Sequence, residues 1–163
     1  MSFAAPLKEV AKLIYDLSDE QVNGDSKERL DPRYGVTPRY ILQKLGTEGF
    51  RSIYENTWVD FLVRNYRKDF DPTQVVIVTD VRFPNEMKAI KEEGGVIWKL
   101  VRLDGPGAQG GSAGHASEAA MQSIPSEEFD AVIEAKSGDL EGLINKALSC
   151  YRELAIKLTE KDV

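Results

Sequence analysis

A carboxylate and a guanidinium two residues apart close a β-branched run of this chain, Val75-Val76-Ile77-Val78-Thr79-Asp80-Val81-Arg82. Ligands of open α/β sheets bind at the carboxyl ends of strands, and Asp80 stands where such an end is predicted. A carboxylate there can position a magnesium-bound water or a substrate hydroxyl, and a guanidinium can fork onto a phosphate. The pair also has an ordinary reading, in which Asp80 caps the next turn and Arg82 pairs with Glu86. Arg39, in Thr37-Pro38-Arg39, puts a cation in a first helical turn, where the helix dipole disfavours it. A docked anion would account for it; so would simple solvation. Gln43 lies four residues on, with an amide suited to a base edge or to water. Gly46-Thr47 either admits a ligand closely or ends the helix. Trp58 offers a stacking surface, although on an apolar helix face it reads first as core. His115 is the one histidine and has no metal-ligand partner at useful spacing, which leaves a phosphate contact or a helix cap.

Phosphate-handling α/β proteins commonly grip phosphate with a loop of the form G-x-x-x-x-G-K-[ST], whose backbone N–H groups form the cradle. No stretch of this sequence fits that pattern. A kinase reading must therefore find its phosphate grip elsewhere.

The elements that must position these residues follow from pattern. Pro6 to about Leu17 is an amphipathic helix, with Leu7, Val10, Ala11, Ile14 and Leu17 at helical spacing. Asp19 to Gly35 is polar and reads as one long loop. Thr37 caps a helix that carries Arg39 and Gln43, broken near Gly46 to Gly49, and a second apolar stripe runs to about Arg67. Val75 to Thr79 is predicted to be a central parallel strand covered on both faces. Pro84 to Glu93 is a short helix closed by Gly94-Gly95, and Val96 to Val101 is the next strand, making a compact βαβ crossover. The Gly-rich stretch within 103–116 reads as a flexible loop or lid. Ala131 to Ile133 is a short strand and Asp139 to about Leu158 a closing helix.

Composition narrows the function. At 163 residues and 42% hydrophobic content the chain is predicted to form a single domain. A net charge of −6 argues against coating a nucleic acid polymer, yet leaves room for a small anion in a basic cleft. No apolar run approaches a bilayer span and no signal peptide is visible, so a cytoplasmic protein without a membrane partner is expected. Cys150 is the one cysteine, which excludes an internal disulfide or a Cys-rich zinc site; no metal-ligand cluster is visible.

Taken together, the blocks resemble the deoxynucleoside monophosphate kinases of tailed phages, within the P-loop nucleoside monophosphate kinase group. The likeness rests on Phe3-Ala4-Ala5-Pro6-Leu7-Lys8, on Thr37-Pro38-Arg39 with Leu42-Gln43-Lys44-Leu45-Gly46-Thr47, and on Trp58. It continues through Asp80-Val81-Arg82-Phe83-Pro84-Asn85-Glu86, Gly94-Gly95 to Arg102, and His115-Ala116-Ser117-Glu118. The resemblance implies an α/β fold, a three-layer parallel sheet flanked by helices. It implies that Arg39 contacts the phosphate of a deoxynucleoside monophosphate and that Gln43, Gly46, Thr47 and Trp58 line the base and sugar pocket. Asp80, Arg82 and Glu86 would hold the nucleotide or its metal-bound water, with Asp80 and Arg82 catalytic. Arg102, His115 and Glu118 would lie nearer the phosphate donor, ATP with Mg2+.

Two departures shape the expectation. Family members begin with a strand, a Walker-type loop and its helix, and this sequence starts after all three. Where they tend to carry an Asn-Asp-Gly turn near adenine, this chain has Ala135-Lys136-Ser137-Gly138. The expected protein is a kinase scaffold, inactive alone, whose sheet is completed by a partner chain, an oligomer or a missing segment. The second reading is a catalytically degenerate module that binds nucleotides or proteins.

Overall fold

Helices dominate the first of two units, Met1–Val81, in a computed structural model that describes residues 1–104, 120–121 and 124–161. Helix α1 (Ala5–Tyr15) carries Pro6 in its first turn and ends at Asp16, which takes the left-handed conformation at φ 47°. Ser18 and Gln21 form a capping box for α2 (Asp19–Asn23). Ser18 Oγ accepts the Gln21 N–H at 3.2 Å, and Gln21 Oε1 accepts the Ser18 N–H at 2.9 Å. A 3-10 turn spans Asp25–Glu28, and the chain then folds back so that the Asp31 N–H meets the Val36 carbonyl at 2.9 Å.

The predicted long loop from Asp19 to Gly35 is therefore corrected. It contains two short helical pieces and a pinned turn, and the Ser-x-x-Gln cap that starts it is visible in the sequence. Helix α3 (Pro38–Gln43) starts as expected, with Thr37 Oγ1 accepting the Tyr40 N–H. The predicted break near Gly46 is absent. The helix instead widens into a π-helix over Lys44–Arg51, and α4 (Thr57–Lys68) follows. Ala11, Leu17, Val22, Ile41 and Leu42 form the core, with Leu7, Tyr15, Val36 and Leu45 packed against them.

The second unit, Arg82–Val163, is α/β. Helix α5 (Pro84–Glu92) ends where Gly94 takes φ +79°, a conformation costly for any residue with a Cβ. Strands β1 (Trp98–Arg102) and β2 (Ala131–Ala135) pair in parallel, in register from Trp98 with Ala131 to Arg102 with Ala135. A 3-10 turn at Ser126–Glu128 precedes β2, and α6 (Leu140–Lys161) follows it. Buried Ile97, Phe129 and Ile133 lie on or beside the strand pair. Asp130 ties the entry, because the Ile97 N–H donates to its carboxylate at 2.7 Å.

The predicted sheet is corrected in extent. Among the described residues it has two strands, and Val75–Thr79 is not one of them. Val75, Val76 and Ile77 are exposed. Their β-branched composition expresses a preference for extended backbone, but a strand also needs a neighbour's N–H and C=O groups.

Candidate functional site

In the first unit, the α3–π–α4 stretch carries most of the predicted nucleotide contacts. Arg39 is exposed in the first turn of α3, and its Nε donates to the carboxylate of Glu28 in the 3-10 turn. That pair lies in solvent, where it contributes little and exchanges readily for another anion. Gln43 is half-buried at the last turn of α3, next to the π segment.

Gly46 is buried, and a Cβ there would come within 2.8 Å of Leu7 Cδ2. The glycine is thus explained by the close approach of α1. Trp58 is 6% exposed, and its Nε1–H donates to the Gly46 carbonyl at 3.1 Å, while its ring lies 5.0 Å from Phe50. In a π-helix the i to i+5 spacing loosens the ordinary hydrogen-bond ladder, and the indole donor serves one of its carbonyls from outside. Trp58 is a core residue that closes the π turn, in line with the first reading of its apolar helix face. Thr47, next to Gly46 in the π segment, is half-buried. Lys44 and Glu48 form an ion pair one turn apart, and Glu48 raises the lysine's pKa above its ordinary value.

Asp80 ends this unit, and its carboxylate is occupied. Oδ1 accepts the Phe3 N–H at 2.9 Å; Oδ2 accepts the Ala4 N–H at 2.8 Å and the Ser2 hydroxyl at 2.7 Å. These are donors at the start of α1, which no intrahelical carbonyl can serve. Asp80 so joins the chain's first residues to a position 76 to 78 residues on. Nothing in its local sequence announces that partner.

The second unit holds Arg82 and Glu86. Glu86, at the third position of α5, is buried, and its Oε2 accepts the backbone N–H of Arg82 at 2.7 Å and of Phe83 at 3.1 Å. The predicted side-chain pairing of Arg82 with Glu86 is thus replaced by a contact to the Arg82 backbone. Arg82 is exposed, and its guanidinium makes no hydrogen bond or ion pair among the described residues. Arg102 is exposed at the carboxyl end of β1, opposite Ala135 of β2. Just beyond, the Ser137 N–H donates to the Asp104 carboxylate. The strand pair therefore brings Arg102 and the Ala135–Gly138 turn to the same sheet end. His115 and Glu118 lie outside the described residues, as does the predicted lid beyond Asp104. Among the described residues no acidic, histidine or cysteine cluster could hold a metal by itself, and no helix is long and apolar enough to cross a membrane.

Sequence reasoning missed Asp31. It is buried, and it accepts from Arg33 Nη2 at 2.7 Å, Arg33 Nε at 3.0 Å and Gln21 Nε2 at 2.8 Å. Hydrogen bonding from Arg33 holds this carboxyl well below the usual carboxylate range, and Asp31 raises the guanidinium in return. The local signal was Asp31-Pro32-Arg33, an Asx-type turn opening.

Residues 10–147 match the family described as deoxynucleotide monophosphate kinase. A protein of Acanthamoeba polyphaga mimivirus, named for a deoxynucleotide monophosphate kinase, is 35% identical over 162 residues, covering 91% of this chain and 80% of its own length. The deoxynucleoside-5'-monophosphate kinase of Escherichia phage T5 is 39% identical over 79 residues, covering 47% of this chain and 30% of the phage protein. No solved structure matches the chain.

Proposed function

The chain belongs to the deoxynucleotide monophosphate kinase family, and from that premise we propose that it seats a deoxynucleoside monophosphate, with Arg82 as a cation for its phosphate. The observation that carries this reading is the Arg82 guanidinium. It is exposed, it has no ion-pair partner among the described residues, and its backbone is tied down by Glu86. A planar guanidinium held this way can fork onto two phosphate oxygens. Arg39 reaches the same class of ligand by exchanging the exposed Glu28 carboxylate for phosphate. Gln43 supplies an amide for a base edge, and Thr47 a hydroxyl beside it. Gly46 and Trp58 shape the wall behind them through their own hydrogen bond.

The reaction proposed is phosphoryl transfer from ATP with Mg2+, within a three-layer, P-loop-kinase-like domain. Phosphoryl transfer depends on positioning and on neutralising charge on the transferred group, so the arginines would act as electrostatic clamps and not as proton carriers. The Mg2+ would supply further charge neutralisation at the phosphates. Arg102, at the carboxyl end of β1, is proposed to face the donor. Asp80 has three of its acceptor positions engaged by residues 2 to 4, just before α1. Its proposed part is to tie residues 2 to 4 to the end of the first unit, with little acceptor capacity left for a metal-bound water.

Calorimetry with each of the four deoxynucleoside monophosphates, followed by a transfer assay with ATP and Mg2+, tests this. Saturable binding of at least one monophosphate, weakened about 30-fold in Arg82→Ala, is the expected result. Absence of binding to all four overturns the seat. Binding without turnover retains the seat and is the result expected of a chain in which no stretch fits the phosphate-gripping loop, whereas turnover by the chain alone overturns that expectation.

A further inference from the structure

The resemblance implies that Glu86 touches the nucleotide; the geometry assigns it a different task. Glu86 is 2% exposed, and a buried carboxylate needs donors close at hand. It takes two of them from consecutive backbone positions, Arg82 and Phe83, through one oxygen. This is half of a capping box. Phe83 is the N-cap residue of α5 and has no side-chain acceptor to offer the helix in return. The positive end of the helix stabilises the charge of Glu86 where it lies. Pro84 then fixes φ at the next position. The backbone of Arg82 and Phe83 is thereby clamped between a buried carboxylate and a proline ring, while the exposed Arg82 guanidinium has no partner among the described residues.

We propose that Glu86 is a positioning residue: it locks the backbone from which Arg82 reaches the monophosphate and makes no contact with the nucleotide. The inference rests on reading Arg82 as a phosphate cation. Its physical content is preorganisation. A guanidinium on a fixed backbone loses less freedom on binding than one on a mobile loop.

The test is a double-mutant cycle read by monophosphate calorimetry on the full chain, with amide hydrogen exchange at residues 82 and 83 beside it. Arg82→Ala is expected to weaken binding about 30-fold and Glu86→Ala about tenfold. The double variant is expected to bind within about twofold of Arg82→Ala alone, because the positioning has nothing left to position. Glu86→Gln keeps an acceptor oxygen and is expected to recover most of the loss, to within about threefold of the parent. Should Glu86→Ala fail to fold, Glu86→Asp, too short to span both N–H groups, takes its place in the cycle. Faster exchange at the 82 and 83 amides is expected in the Ala or Asp variant, and parent-like exchange in Gln. Additive losses in the double variant, or a Gln variant as weak as Ala, overturn the inference and mark Glu86 as a direct contact. Parent protein that binds no monophosphate overturns the proposed function. In that case the inference falls with it in its binding half, and unchanged exchange in the Ala variant would separately overturn the backbone lock.

Discussion

Two carboxylates six positions apart, Asp80 and Glu86, do the same local chemistry over very different distances. Each accepts backbone N–H groups at the start of a helix, α1 for Asp80 and α5 for Glu86. Asp80 draws its donors from residues 2 to 4, across most of the first unit's length. Glu86 draws its donors from three and four residues away. The difference teaches that a helix N-terminus can be capped by a local residue or by a remote one, at similar enthalpy but opposite consequence. The remote cap helps to close a long loop of chain, beside the Met1 ammonium that donates to the Ile77 carbonyl; the local cap orders one turn. Losing the first loosens the unit. Losing the second alters where a single side chain starts.

The comparison can be broken most directly by truncation. Asp80→Ala strands three donors, and chemical denaturation is expected to show a loss of about 3 kcal/mol. Glu86→Ala strands two donors in one local turn and is expected to cost about 2 kcal/mol. Equal or reversed losses would show that loop closure adds nothing. Trp58→Phe comes next. It keeps most of the ring volume, removes the donor to the Gly46 carbonyl, and is expected to lower stability by about 1.5 kcal/mol.

Asp31 sharpens the comparison with a third cap-like carboxylate, one paired to arginine. Its folded pKa is depressed by Arg33, so its stabilising contribution is present above the unfolded value of about 4 and is lost as pH falls through the folded value. Asp31→Asn is therefore expected to flatten the acid limb of the stability curve below about pH 4, measured by urea titration at successive pH values. The smallest effect is at the surface. Glu28→Gln removes the competitor for Arg39 and is expected to tighten monophosphate binding by about twofold, with melting temperature within about one degree of the parent.

Helices α1, α3 and α5 were legible because their signals are local. Pro6 and the spacing of Leu7, Val10 and Ala11 mark α1, Thr37 marks the start of α3, and Pro84 with Gly94 brackets α5. Val75–Thr79 was misread for the opposite reason. Residue type reports a preference, and only a neighbouring strand turns that preference into a ladder. The π-helix could not be read at all, since Leu45-Gly46-Thr47 looks like any weakened helix end. At the site, residue types and spacing pointed to phosphate-binding chemistry. The division of labour between Arg82 and Glu86 became visible only with the 2.7 Å contact to a backbone N–H. The engagement of Asp80 by Ser2, Phe3 and Ala4 was invisible to any local window.

The widened turn over Lys44–Arg51 has one further consequence. A π turn is an α turn carrying a surplus residue, so it offsets the angular phase of the rest of its own helix by about 100° relative to an uninterrupted one. Arg39 and Gln43 precede this offset, and Trp58 follows it. Deleting one residue between Thr47 and Gly49 would restore the ordinary helical repeat. It would also remove the widened turn that holds the Gly46 carbonyl the indole serves, converting a single-codon loss into a misaligned wall behind the arginine.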